Sequence, residues 1–199
     1  MKNIVSIFAG HDANITFYNA DKNTYHVIEL ERLTKKRYFR LHVDNSPEEI
    51  HRILTECQKI AEKHWGIKNS YEVALLCADG WVDASIVRSV FNCEQVISSF
   101  ASHHLCHAAA AYYQSPFDKS LVFSYDGGGD DGFFNVYYAD KATNRIDHLE
   151  NIPSDFGGGY MLCGSLIKEV CESSKHQLSL PGKLMGLCGY GKPNDEVVS

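Results

Sequence analysis

The chain has 199 residues, of which 44% are hydrophobic and 22% are charged, a composition that excludes global disorder and suits one substantial domain or one and a half small ones. Its formal charge of −6 argues against a broad surface for nucleic acid or an anionic membrane. No stretch approaches the roughly 18–20 apolar residues of a membrane span, and the seven cysteines show no C-x-x-C spacing, so we expect a soluble, cytoplasmic protein with free thiols.

The first half of the sequence predicts an antiparallel meander of three strands, then alternating helices and strands. The runs with strand character are residues 3–10, 13–19 and 24–32. Residues 45–65 predict a helix, because Asn45 or Ser46 can cap it, a proline follows, and its apolar residues recur on one face. A short buried strand over residues 72–78 and a helix over residues 83–91 are expected next.

The second half predicts a helix, a hairpin and two glycine-rich loops. Residues 104–113 are rich in alanine and predict the helix, whereas residues 120–140 predict the hairpin because two apolar, aromatic-rich runs flank the turn DGGGDDG. A further strand is expected near residues 145–152. Residues 155–172 predict a glycine-rich loop leading into a helix, and residues 179–193 predict a second glycine-punctuated loop. The fold class is therefore α/β, with a mixed sheet that starts with the three-strand antiparallel meander and has helices packed on it.

Two histidines at helical spacing, His103 and His107, are candidate metal ligands. Residues four apart on a helix project from one face, with about 5–6 Å between their Cβ atoms, so both imidazoles can bind one ion. His104 points elsewhere and is expected to be a bystander or an indirect support of the ligands. Such pairs also occur at solvated helix starts, so the hypothesis requires a third ligand. Asp126 is the leading candidate, because it ends a buried strand immediately before a run of glycines.

The glycines after this aspartate, Gly127, Gly128 and Gly129, allow two interpretations. Since they lack Cβ atoms, their N–H groups can approach a phosphate chain, and neighbouring aspartates can hold a divalent cation. They can equally form a tight turn with exposed acids. Lys183 also lies between glycines, as phosphate-contacting lysines often do, although no Walker-type motif accompanies it.

Further candidate residues lie near the N-terminus. His11, in the turn between the first two strands, can act as a general base near neutral pH, although a turn histidine is usually only polar. Lys36 and Arg37 belong to a basic segment, residues 32–40, that carries five basic groups and no acidic one. This segment can bind anionic substrate groups, or it can be a solvated face.

Four stretches, taken in order, resemble the N-terminal part of the O-carbamoyltransferase family, which includes nodulation-factor and antibiotic carbamoyltransferases. They are GHDANITFYN, ELERLTKKRY, HHLCHAAAAYYQSPFDKSLVFSYDGGGDDG and GKLMGLCGYGKP. The resemblance covers most of the chain and is strongest over residues 103–132 and in the closing Lys-x-Met-Gly-Leu-x-x-Tyr-Gly. It implies an actin-like ATPase (ribonuclease H-like) fold. It also implies that ATP activates carbamoyl phosphate to carbamoyl-adenylate, from which the carbamoyl group passes to an acceptor hydroxyl.

The resemblance implies cofactors and the residues that bind them. An iron-type metal would be held by His103, His107 and Asp126, with zinc, manganese or magnesium as alternatives. The glycines after Asp126 match the loop that approaches the phosphates of ATP, and Lys183 belongs to the second family signature. His11 matches a histidine near the reacting carbamoyl group and is the candidate base for the acceptor hydroxyl. The cationic group that neutralises a phosphate or carbamoyl oxygen would be Lys36 or Arg37.

In this interpretation residues 1–155 are the first lobe of an actin-like ATPase domain, and residues 156–199 begin a following segment that is truncated here. Because such a fold has two similar lobes with the nucleotide between them, we expect little or no transferase activity from this chain alone. We expect it to act as a homodimer or to require a missing C-terminal portion. The expected substrates are carbamoyl phosphate and a small-molecule hydroxyl acceptor, without a nucleic acid or membrane partner.

Two alternatives to the O-carbamoyltransferase remain from the sequence. One is a tRNA threonylcarbamoyl transferase of the same superfamily, which the lack of a basic surface disfavours. The other is a catalytically silent nucleotide- or metal-binding module that works through a partner chain.

Overall fold

The structure, a computed structural model, describes residues 2–41, 45–77, 82–98, 103–129, 131–174 and 176–192. The chain divides into two compact units, Met1–Ala101 and Ser102–Ser199, and each is described here by itself. None of the helices in the described part of the chain is both long enough and apolar enough to cross a membrane.

The first unit is built on a mixed sheet, as the sequence predicts, and this sheet has five strands. Its strands are β1 (Asn3–Phe8), β2 (Asn14–Asn19), β3 (Thr24–Glu29), β4 (Tyr71–Cys77) and β5 (Cys93–Ser98). Their order is β3-β2-β1-β4-β5. The first three strands form the predicted antiparallel meander, whereas β4 pairs in parallel with both β1 and β5. Strand β5 was not predicted, because Glu94 and Gln95 interrupt its apolar alternation and its partner β4 is distant in sequence.

Helices pack on this sheet and bury its core. They are α1 (Leu30–Thr34), α2 (Pro47–Ile60) with a π-helical turn over Ala61–Trp65, and α3 (Ala84–Val90). The prediction for α2 is confirmed: the Ser46 hydroxyl accepts the N–H of Glu49 at 3.3 Å, and Pro47 occupies the first turn. The predicted third strand is three residues too long, because the chain turns into α1 after Glu29.

One core residue gives a direct chemical test of this unit. Cys57 on α2 is fully buried, and burial raises the pKa of its thiol to about 12. We therefore expect a thiol reagent at pH 8 to modify the exposed residues Cys106, Cys163, Cys171 and Cys188 rapidly and Cys57 only on unfolding. Because the unfolded thiol ionises near a pKa of about 8.5, the contribution of Cys57 to stability is complete below that pH and is lost as the pH rises towards 12.

Stopped-flow labelling, with peptide mapping to assign each thiol, measures the rates. The Cys57→Ala variant is the control, in which the slowest labelling phase should disappear. Labelling of Cys57 at the rate of the exposed thiols would contradict the buried placement of α2.

The second unit contains the predicted helix and hairpin. Helix α4 (His103–Gln114) precedes an antiparallel sheet of β6 (Lys119–Gly129), β7 (Gly132–Asp140) and β8 (Arg145–Ile152), in the order β6-β7-β8. Helix α4 packs against β6 and β7. The predicted strand near 145–152 is confirmed by β8. Our division of the chain at residue 155 into a first lobe and a following segment stays a prediction.

The two segments predicted as glycine-rich loops are mainly helical in their described residues, so both loop predictions are wrong, whereas the helix predicted at the end of the first segment is present. They form α5 (Phe156–Leu166), α6 (Lys168–Glu172), a 3-10 turn (Gln177–Ser179) and α7 (Leu180–Cys188). The Asp155 carboxylate caps α5 by accepting the N–H of Gly158 at 2.6 Å. A Cβ on Gly164 would make ordinary contacts with Leu180, 3.4 Å from its carbonyl oxygen, so α5 packs closely against the start of α7 at this point. Tertiary packing therefore offsets the low helix propensity of glycine.

Candidate metal centre

Helix α4 and strand β6 bring the three predicted metal ligands together. His103 and His107 lie one turn apart on α4, and their ring centroids are 4.6 Å apart. Asp126 lies near the end of β6, where its Oδ2 is 2.9 Å from His103 Nε2 and 3.5 Å from His107 Nε2. The two Nε2 atoms are 3.1 Å apart. Two imidazoles and one carboxylate therefore converge on a single point.

These separations fit a divalent metal ion. An ion about 2.1 Å from each ligand atom holds neighbouring ligand atoms about 3.0 Å apart at right angles and about 3.4 Å apart at tetrahedral angles. The measured separations of 2.9, 3.1 and 3.5 Å span that range. Hydrogen bonding alone explains the arrangement less well. His103 Nε2 carries either one hydrogen or one lone pair, so it can form only one good hydrogen bond, yet it has two close neighbours. Two histidines and one carboxylate suit iron, zinc or manganese.

The charge state of Asp126 also favours a cation. Partial burial of its carboxyl group opposes ionisation and is the largest single influence on its pKa. The hydrogen bond from His103, the 2.6 Å bond from the Gly127 N–H and the charges of both histidines together outweigh it, so the pKa lies below its ordinary value. Exposure of 28% for His103, 47% for Asp126 and 57% for His107 leaves the ligand atoms accessible to an ion and a substrate.

The glycine run after Asp126 has structural roles in the turn. Gly128 has a φ of +131°, which side chains rarely allow, and a Cβ on Gly129 would lie 2.7 Å from the Cβ of His103. By contrast, a Cβ on Gly127 would come no closer than 4.0 Å to its neighbours. The fold thus requires glycine at two of these positions, and Gly127 lies open beside the candidate ligand Asp126.

Helix α5 supports the aspartate from the other side. A Cβ on Gly157 would lie 2.3 Å from the Gly127 nitrogen and 2.6 Å from the Asp126 carbonyl carbon, whereas a Cβ on Gly159 meets nothing within 4 Å. We therefore expect Gly157→Ala to displace α5 from β6 and to cost about 1–3 kcal/mol of stability. Gly159→Ala is the matched control on the same helix and should be neutral or stabilising by up to about 1 kcal/mol.

Urea unfolding of the two variants measures the difference in their free energies of unfolding. Equal stability of the two variants would contradict the close contact of α5 with the backbone around Asp126.

His104 does not join the three candidate ligands. Its side chain is fully buried, with Nδ1 2.8 Å from the Ser124 hydroxyl and Nε2 3.0 Å from the Gly132 carbonyl oxygen. It therefore links α4 to both strands of the hairpin. No local sequence pattern predicts these two contacts, because both join residues that are 20 or more positions apart.

The N-terminal candidates lie in two loops of the first unit that are joined by backbone hydrogen bonds. The N–H of Ala13 donates to Phe39 at 3.0 Å and that of Leu41 donates to Ala9 at 3.1 Å. His11 Nδ1 is 2.8 Å from an oxygen of Asp12, a residue that sequence reasoning missed although it stands next to His11 in the motif GHD. Asp12 has a φ of 59°, in the left-handed region.

Lys36 and Arg37 lie in the second of these loops and stack on neighbouring rings. The Lys36 ammonium is 5.9 Å from the ring centre of Phe39, and the Arg37 guanidinium is 5.1 Å from that of Tyr38. Tyr38 has a φ of 55°, a strained conformation for a bulky residue, and such strain is concentrated at functional sites. The joint role of His11 with either cation stays a prediction.

Lys183 lies on α7 rather than in a loop. Its ammonium group donates to the Ser173 carbonyl oxygen and lies 3.0 Å from the Ser173 hydroxyl, so it ties α7 to the end of α6. Its contact with ATP stays a prediction.

Comparison with known proteins identifies relatives that match about half of the chain. An uncharacterized protein of Methanocaldococcus jannaschii is 35% identical over 112 residues, covering 50% of this chain and 18% of that protein. Nodulation protein NolNO of Sinorhizobium fredii is 34% identical over 95 residues, covering 48% and 13%. Nodulation protein NolO of Bradyrhizobium diazoefficiens is 32% identical over 93 residues, covering 47% and 16%. The matches thus span less than a fifth of each relative.

A solved structure and a family model complete the comparison. Full-length HypF in a phosphate- and nucleotide-bound form matches with a TM-score of 0.49 and 14% identity, covering 74% of this chain and 21% of that one. The family described as Carbamoyltransferase N-terminus matches residues 68–199, which include α4, the hairpin and all three candidate ligands. The chain therefore belongs to the carbamoyltransferase family and carries part of its N-terminal region.

Proposed function

We propose that this chain is the N-terminal portion of an ATP-dependent O-carbamoyltransferase whose metal is held by His103, His107 and Asp126. The observation that carries the proposal is the convergence of these three ligand atoms, at separations of 2.9–3.5 Å, within the segment that matches the carbamoyltransferase family. When bound, a divalent ion at this point would offset the negative charge of the phosphates.

An actin-like organisation is the second element of the proposal. The sequence predicts a first lobe that starts from a three-stranded antiparallel meander, and the first unit contains one, formed by β1, β2 and β3. In the first unit two parallel strands extend the meander beyond β1. In the second unit, three large apolar side chains at alternate positions of β6 are exposed: Leu121 to 56%, Phe123 to 56% and Tyr125 to 64%. We expect further chain of the complete protein to cover this apolar face.

The proposed reaction has two stages. Carbamoyl phosphate, ATP and water give carbamoyl-adenylate, phosphate and pyrophosphate. The acceptor oxygen then forms a bond to the carbamoyl carbon, the bond from that carbon to the AMP oxygen breaks, and AMP leaves. Both stages bring polyanions together, so catalysis requires positive charge and N–H donors at the phosphates. Gly127 would let a phosphate approach the backbone closely, because its lack of a side chain is not required by packing.

His11 would accept the proton of the acceptor hydroxyl in the second stage. The Asp12 carboxylate accepts a hydrogen bond from Nδ1–H of His11, which leaves Nε2 as the basic nitrogen. Lys36 and Arg37 would neutralise anionic oxygens of the substrates. Their cation–π contacts with Phe39 and Tyr38 restrict both side chains.

The decisive experiment measures carbamoyl-adenylate formed from carbamoyl phosphate and ATP, by mass spectrometry, with the longest product of the gene and with this chain alone. The longer product should form the adenylate, and Gly127→Ala should slow its formation without lowering thermal stability. Absence of the adenylate from the longer product would favour a catalytically silent module. Steady turnover by this chain alone would contradict the requirement for a second lobe.

A further inference from the structure

We infer that His104 is a positioning residue, which sets the geometry of the candidate metal ligands by fixing α4 on the β6–β7 hairpin. The inference rests on the proposed metal centre and adds to it a residue that binds no metal itself.

The imidazole of His104 joins three elements at one point. Its side chain is fully buried on α4, Nδ1 contacts the hydroxyl of Ser124 on β6 at 2.8 Å, and Nε2 contacts the carbonyl oxygen of Gly132 on β7 at 3.0 Å. A carbonyl oxygen only accepts, so Nε2 carries the hydrogen and donates it. In the neutral ring Nδ1 then accepts from Ser124. Both polar atoms of the ring are satisfied inside the unit, as burial requires.

His104 and His103 contact side chains at alternate positions of the same strand. His104 contacts Ser124, and His103 contacts Asp126, two residues further along β6. Because side chains two apart on a strand share one face, both contacts fall on the α4-facing side of β6. Two consecutive residues of α4 thus contact two residues of β6 that are two positions apart. These contacts fix the position of α4 both along β6 and across it.

The backbone of His104 is held from the same hairpin. Both carboxylate oxygens of Asp131 lie 3.2 Å from the His104 nitrogen and accept its N–H at the start of α4. The carbonyl oxygen of Asp131 in turn accepts the side-chain amides of Asn135 at 2.9 Å and Asn151 at 2.8 Å. The first turn of α4 is therefore fixed by two independent attachments immediately beside His103.

Loss of the imidazole should act on the metal through these attachments. His104→Ala leaves the Ser124 hydroxyl and the Gly132 carbonyl without their partner and opens a cavity beneath the first turn of α4. We expect Co²⁺ affinity to fall about 10–100-fold, the range typical of residues that orient ligands. The ligand-field absorption of bound Co²⁺ should change as well. His104→Gln retains an amide N–H near the position of Nε2 and should recover part of the affinity.

Tyr112→Phe is the matched control. Tyr112 lies on the same helix, is 2% exposed, and donates its hydroxyl to the Asp118 carbonyl oxygen at the end far from His103. Loss of this hydroxyl should lower the thermal stability of the chain. It should leave the Co²⁺ affinity and spectrum unchanged, which separates a positioning role from general destabilisation.

The experiment combines Co²⁺ titration, followed by visible absorption, with long-range ¹H–¹⁵N spectra of the imidazoles in metal-free protein. The inference predicts the Nε2–H tautomer for His104, altered His103 ring signals in the His104 variants, and the affinity loss only in those variants. If His104→Ala fails to fold, the same measurements on His104→Gln decide.

Two results would overturn the inference in distinguishable ways. Unchanged Co²⁺ binding in a folded His104 variant refutes the positioning role and leaves the metal centre standing. Failure of the unsubstituted chain to bind Co²⁺ refutes the metal centre, and the His103 ring signals then decide the positioning role, because unchanged signals in the His104 variants contradict it.

Discussion

His103→Ala is expected to lower the affinity of the chain for a divalent metal by at least about 100-fold. The variant removes one of three ligands whose donor atoms lie within 3.5 Å of one another. The remaining pair, one imidazole and one carboxylate, is a combination common on protein surfaces and binds a metal ion only weakly. The unsubstituted chain, purified without chelator, should hold one equivalent of metal. Elemental analysis, followed by competition with a chromophoric chelator, measures both quantities.

His51→Ala provides the control for this experiment. His51 is an exposed histidine on α2, so its loss changes the histidine count without removing a candidate ligand. Metal content should be the same in this variant as in the unsubstituted chain. Equal loss in both variants would mean that the chain binds metal through exposed histidines in general.

His11→Asn is expected to slow carbamoyl transfer by the complete protein about 10²–10⁴-fold, the range typical of losing a general base. Formation of carbamoyl-adenylate should continue, because that stage requires no proton transfer from the acceptor hydroxyl. The adenylate should therefore accumulate when acceptor is present. Quenched-flow measurement of adenylate and of transferred product separates the two stages.

Asp12→Asn provides the graded comparison for His11. The amide preserves the size of the side chain but provides no negative charge beside His11 Nδ1, so transfer should slow less than in His11→Asn. A pH profile of the transfer rate that is identical in all three proteins would contradict the role of His11 as the base.

The sequence predicted those elements whose own residues determine their structure. Ser46 and Pro47 mark the start of α2, and the glycine turn between two aromatic-rich runs marks the hairpin of β6 and β7. Helix α5 was misassigned because three consecutive glycines, from Gly157, indicate a loop by local propensity. The Asp155 cap and the packing on α7 outweigh that propensity, and only the cap can be seen in the sequence.

The candidate site was predictable in its ligands and not in its supports. His103 and His107 share a helix face through their spacing, and Asp126 stands at a recognisable strand end. His104 was expected to be a bystander or an indirect support, and its burial against Ser124 and Gly132 depends on how the hairpin meets the helix. Such contacts are determined by tertiary packing, which a single sequence does not encode in any local pattern.

Anomalous X-ray scattering at the absorption edge of the bound metal tests the central claim most directly, with crystals of this chain grown without chelator. The account predicts a single strong peak about 2.1 Å from His103 Nε2, His107 Nε2 and Asp126 Oδ2. A metal-free centre with the three side chains hydrogen-bonded to one another, or a peak bound to other residues, would contradict it.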